Sequence, residues 1–151
     1  MTHNIAAAQQ LIEGTRSKRA IIFARARSLP PDPERESAQL EAQEQYCYQV
    51  AEGLKAEVVE VYAVRGGTTD PVTQRMVKQL LDEVEVGGID YVILQNLDRL
   101  TRRPSELARI VRRLAAAGVR LVTTAAPAEA FLQDVSLFCL VAASDNKRRS
   151  A

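Results

Sequence analysis

The residues with the clearest chemical potential fall in one stretch, Leu97-Asp98-Arg99-Leu100-Thr101-Arg102-Arg103-Pro104. It holds one carboxylate and three guanidinium groups. Arginine's planar fork meets phosphate oxygens two at a time and stays charged, so such a cluster suits a phosphodiester or another polyanion. The plainer alternative is a helix N-terminus ringed with solvated charge. The flanking elements say where the cluster sits. Tyr91-Val92-Ile93-Leu94 precedes it and reads as a buried strand. Leu107, Ile110, Val111 and Leu114 follow at helical spacing, and Pro104 suits the first turn, where a missing N–H costs nothing. The charges therefore lie at the carboxyl end of a strand, the edge at which open α/β sheets bind ligands.

The remaining elements alternate in type. Residues 4–15 are an alanine-rich helix candidate ended by Gly14, read as part of an N-terminal extension over residues 1–18. Arg19 to Ala26 is the first strand, after which Pro30, Pro31 and Pro33 interrupt regular structure. Ser37 is the expected cap of a helix with Leu40, Cys47, Val50, Ala51 and Leu54 apolar. Val58 to Val64 is a strand, Gly66 to Pro71 a polar loop, and Val72 to Val84 a helix closed by Gly87-Gly88. After the Tyr91 strand come a helix over 104–117, capped by Gly118, and a strand from Val119 to Thr123. From about Ala128 to about Ser144, Phe131, Val135, Phe138 and Val141 form one stripe. That stripe predicts a helix packed against a second copy of the chain. The order predicts an α/β fold: a mainly parallel four- to five-stranded sheet with helices on both faces.

Composition narrows the function. A chain of 151 residues with 46% apolar and 26% charged content fits one globular domain with a full core. With a net charge of +1, any DNA contact must come from local clustering rather than an overall basic surface. A single histidine, His3, argues against histidine triads and histidine-built metal sites. Cys47 and Cys139 fall in apolar helical patterns and read as buried thiols of a reducing compartment. No apolar run is long enough to span a bilayer and no signal-peptide core opens the chain, which predicts a cytoplasmic protein with no membrane partner. No glycine-rich phosphate loop follows the first strand, so a flavodoxin-like flavin or nucleotide site gains little support.

Read in order, these words resemble the catalytic domain of the serine recombinases, the resolvase–invertase family. Phe23-Ala24-Arg25 is similar to the family's Tyr-Ala-Arg, and Leu40-Glu41-Ala42-Gln43 to its Leu-Glu-Ala-Gln. Thr68-Thr69 stand where its loop has Ser-Gly; Leu80-Leu81, Gly87, Ile89-Asp90, the Asp98–Arg102 box and Gly118–Val122 follow at its spacing. The resemblance implies a catalytic domain over residues 19–127 and a dimerisation helix and basic tail over 128–151; the family's separate DNA-binding domain is not expected within these residues, unless the chain is a fragment of a longer recombinase. It implies site-specific recombination of the resolvase or integrase type. A serine attacks a DNA phosphate, strands are exchanged within a tetramer, and the ends are rejoined with no metal and no cofactor. The implied partners are DNA and a homodimer or tetramer, or a hetero-partner recombinase. Arg25, Arg99 and Arg102 match the family's phosphate-binding arginines, Asp98 its aspartate, and Gln43 a helix glutamine near the site.

The departures concern the chemistry itself. Where the family has Arg-x-Ser, this chain has Arg25-Ala26-Arg27. Strand side chains alternate, so Arg27 shares Arg25's face, while Ser28 points to the other side of a regular strand. The family's loop arginine falls on Gln74, with Arg75 one residue off, and its loop aspartate on Val64. The expected catalytic residues are Ser28, Arg25, Asp98, Arg99 and Arg102; the expected DNA phosphate-binding residues are Arg27, Gln43, Thr68 and Arg75. Two readings stay open: a recombinase that cuts through Ser28, or a catalytically inactive homologue acting as a DNA- or recombinase-binding regulatory module.

Overall fold

The computed structural model describes residues 17–124. Strands and helices alternate as β1 Lys18–Ala26, α1 Pro33–Gly53, β2 Ala56–Arg65, α2 Pro71–Val86, β3 Tyr91–Leu94, α3 Pro104–Ala116 and β4 Arg120–Thr123. The strands pair in parallel in the order β2-β1-β3-β4. The chain steps from β1 out to β2, then crosses back over β1 to β3 and on to β4. Right-handed crossovers therefore place α1 on one face and α2 and α3 on the other. The packing agrees, since α1 rests on β1 and β2 while α2 and α3 touch each other. The α/β expectation holds, with four strands among the described residues. The reversal between β1 and β3 makes their carboxyl ends the topological switch point of the sheet.

β1 is central, and Ile21, Ile22 and Phe23 are fully buried, as a parallel strand covered on both faces requires. β2 is an edge strand, and Val58, Val59 and Val61 are only half-buried. The Tyr62 hydroxyl of β2 donates to the Glu83 carboxylate of α2 and ties that edge to the helix layer. α1 begins earlier than expected, and Asp32, not Ser37, is its cap. The Asp32 carboxylate accepts from the amides of Glu34 and Arg35, and Pro33 takes the first helical position, where its missing N–H is harmless. Ser37 instead accepts from Arg65. Leu40, Gln43, Cys47 and Ala51 form the buried stripe of α1. Cys47 takes the inward position, so Tyr46 and Tyr48 both face solvent. The helix candidate over 4–15, Cys139 and the pattern from about 128 to 144 lie outside the described residues.

Candidate active site

The site is built where β1 outruns its neighbour. β3 pairs with β1 only from Ala20 to Ile22, so Arg25 has no strand beside it on that side. Gln43 of α1 supplies the missing partners. Its Oε1 accepts from the Arg25 amide at 3.1 Å, and its Nε2 donates to the Arg25 carbonyl at 2.9 Å. Gln43 is buried and spends both ends on backbone, so it orders the strand end and does not line the pocket described below.

Arg25 is 3% exposed, and its guanidinium binds three carbonyls. Nε donates to Arg99 O at 2.9 Å, Nη1 to Gly66 O at 2.9 Å and Nη2 to Asp98 O at 3.2 Å. One side chain thus joins β1, the β2–α2 loop and the turn after β3. Burial lowers its pKa from the usual arginine value, with Arg99 and Arg102 adding to the shift and Asp98 opposing it. Arg99 is held in turn: Nε and Nη2 donate to Gln95 Oε1 at 3.1 and 2.6 Å, and Nη1 to the Arg25 carbonyl at 3.3 Å.

These residues surround a pocket of about 340 Å³ at the switch point. The end of β1 and its continuation contribute Arg25, Arg27 and Leu29; the β2–α2 loop contributes Gly67, Thr68 and Thr69; the segment after β3 contributes Arg99 and Arg102. The two-residue alternation expected for 25 and 27 persists to 29. Four guanidinium groups line one concavity, an arrangement suited to holding a phosphate and to stabilising charge on its oxygens during transfer.

Ser28 turns away from this pocket. It is 8% exposed; its hydroxyl accepts from the Asp32 amide at 2.8 Å, and its own amide donates to Glu36 Oε2 at 3.1 Å. Its place is the entry to α1. Asp98 sits on the short turn Leu97–Arg99, exposed, and reaches the site through its carbonyl; its side chain does not line the pocket. Arg75 is exposed on α2 and lines neither this pocket nor the neighbouring groove. That groove, of about 550 Å³ between α2 and α3, takes Gln74, with Val77, Leu81 and Ile110 as its apolar lining and Thr68 shared between the two concavities. Val64 belongs to the core at 2% exposure. Sequence reasoning missed Gly67, Thr69 and Leu29 as lining residues and Gln95 as the anchor of Arg99. The Gly66-Gly67 pair was the available signal, since adjacent glycines mark close approach of other groups to backbone. Among the described residues no three His, Cys, Asp or Glu side chains come together as a metal ion would need, and no helix is long and apolar enough to cross a membrane.

Residues 20–143 match the family described as Resolvase, N terminal domain. The chain belongs to this resolvase family. The solved structures it resembles agree in fold. The N-terminal catalytic domain of TP901-1 integrase superposes with a TM-score of 0.64 at 18% identity, covering 88% of this chain and 97% of that one. A resolvase family site-specific recombinase from Streptococcus pneumoniae gives a TM-score of 0.68 at 16% identity, covering 88% and 91%. The C-terminal catalytic domain of ISC1926 TnpA, an IS607-like serine recombinase, gives 0.60 at 26% identity, covering 78% and 76%. No curated protein matches the sequence. In this resolvase-family sheet the arginine pocket lies at the carboxyl ends of β1 and β3, and Arg27 is one of its lining residues.

Proposed function

We propose that this chain is a serine-recombinase-type domain for site-specific DNA recombination. Its substrate is a DNA strand, one phosphate of which lies in the pocket of Arg25, Arg27, Arg99 and Arg102. The observation that carries this reading is the convergence of four guanidinium groups at the switch point of a resolvase-family sheet. Fixed guanidinium groups stabilise the spread charge of a transferring phosphoryl group better than mobile water does, and no metal is needed for that role. The same reading carries work on DNA in the cytoplasm, and a homodimer or tetramer, or pairing with a second recombinase chain, built through residues 128–151.

Cleavage requires a hydroxyl aimed at the phosphate, and one observation favours a second reading, a domain that holds DNA or an active recombinase without cutting. Ser28, the serine beside the nucleophile position, is engaged with Asp32 and Glu36. Arg27, at that position, cannot attack, because a guanidinium stays protonated. Family membership favours the first reading. Incubation with supercoiled plasmid carrying candidate target sites, followed by denaturing electrophoresis, decides between them. A protein–DNA adduct that disappears with Ser28→Ala supports cleavage through Ser28 once its turn opens. Salt-dependent binding without an adduct, with cleavage gained by Arg27→Ser, supports the second reading. Absence of any DNA binding defeats both.

A further inference from the structure

The four guanidinium groups of the pocket are not equivalent. Arg25 binds three carbonyls, and Arg99 binds Gln95 and the Arg25 carbonyl. Arg27 and Arg102 are exposed, and among the described residues no acceptor takes their N–H groups. Two arginines therefore frame the site, and two present unused donors to it.

The loop opposite is shaped around Arg27. The Gly67 amide donates to Asp70 Oδ2 at 2.8 Å, and the preceding Gly66 donates to the Ala26 carbonyl at 3.0 Å, so the loop is held from two sides. A β-carbon on Gly67 would lie 2.7 Å from Arg27 Nη1, 3.4 Å from its Cζ and 3.7 Å from its Cδ. Gly67 is not among the glycines with a positive φ. Alanine is thus compatible with the backbone there, and what it would displace is the Arg27 guanidinium. That guanidinium lies close against the loop, with no acceptor among the described residues and three other cations lining the same pocket. Mutual repulsion disfavours that placement unless an anion relieves it.

We propose that Gly67 seats Arg27, and that Arg27 and Arg102 together grip a DNA phosphodiester while Arg25 and Arg99 frame the site. This rests on the DNA reading above and goes further by dividing the four arginines into two that grip and two that frame, and by assigning a positioning role to the glycine beneath Arg27.

The test is a double-mutant cycle on the full chain, read with two probes: a short fluorescein-labelled duplex by anisotropy and inorganic pyrophosphate by calorimetry. Gly67→Ala is expected to weaken both about tenfold, as the loss of one or two charge-assisted hydrogen bonds implies. Its thermal midpoint should be unchanged or raised, because alanine restricts the unfolded chain more than glycine does. In an Arg27→Ala background the same substitution should change nothing. Wild-type affinity in Gly67→Ala, or an equal loss in the Arg27→Ala background, overturns the proposal. If Gly67→Ala does not fold, Arg27→Lys replaces it: keeping the charge but losing the fork should weaken binding nearly as much as Arg27→Ala, and wild-type affinity overturns the proposal. Pyrophosphate binding that follows the cycle without duplex binding removes the DNA reading and leaves the Gly67–Arg27 couple standing. Failure of wild type to bind either probe removes both.

Discussion

Arg27 and Ser28 are neighbours with opposite surroundings, and the two-residue period of a strand is the reason. Arg27 continues the face that Arg25 begins, while Ser28 meets the start of α1 and accepts the Asp32 amide. Removing that hydroxyl takes away the acceptor of the Asp32 amide in a part-buried hydrogen bond at the start of α1. Ser28→Ala should therefore lower stability by about 1 kcal/mol, a loss that urea denaturation detects as a fall in midpoint at constant m-value. Cys47 shows the same dependence on surroundings. Burial, with a smaller contribution from Glu44, pushes its thiol pKa up to about 12 from an ordinary 9.0. As pH rises from 9 towards 12 the unfolded chain sheds this proton first, so the contribution to stability is full below 9 and is lost across that window. At pH 8 the native thiol is protonated and enclosed. Iodoacetamide should leave Cys47 unmodified in native protein and label it in denaturant, as peptide mass mapping would show.

At the scale of elements, α1 does more than cover the sheet. Its buried stripe of Leu40, Cys47 and Ala51 is interrupted by Gln43, which completes the hydrogen bonding of β1 where β3 stops. The strand end that carries Arg25 and Arg27 is thereby tied to a helix on the face opposite α2 and α3. Gln43→Ala removes two buried bonds and strands a backbone donor; a loss of about 2–3 kcal/mol is expected from thermal or denaturant unfolding. Its effect on DNA should be a uniform weakening with the salt dependence unchanged, because no phosphate contact is removed. A reduced salt slope would instead make Gln43 a phosphate ligand. The cap of α1 makes a related point. Pro33 reads as a breaker in isolation, yet at the first helical position it extends the helix back to Asp32.

For the whole molecule, a net charge of +1 leaves no general attraction to nucleic acid. Affinity has to come from a local gathering of cations, such as the one at the switch point between β1 and β3. Replacing Arg102 by alanine should lower the slope of log K against log salt by about 1 and weaken different duplex sequences alike. Filter-binding or anisotropy titrations across salt concentrations measure this. An unchanged slope would place the phosphate elsewhere on the surface.

Periodicity and breakers alone determined much here: the alternation of strand and helix, the apolar run of β3, the helix stop at Gly87, the sheet edge bearing Asp98 to Arg102, and the common face of Arg25 and Arg27. These are local properties, set by side-chain spacing and by residues with restricted backbones. The roles of the site residues needed tertiary structure, because a hydrogen-bond partner or a counter-charge can come from any part of the chain. Arg25 and Arg99 are the same residue type as Arg27 and Arg102, yet the first two donate to the carbonyls of Gly66, Asp98, Arg99 and Arg25 and to Gln95 Oε1, while the second two find no acceptor among the described residues. Gln43 and Gly67, 24 positions apart in the numbering, shape the same strand end from opposite sides. Packing of α1 brings Gln43 to that strand end, pairing of β2 with β1 brings Gly67, and the crossover from β2 to β3 returns the chain to β1 with Asp98 to Arg102.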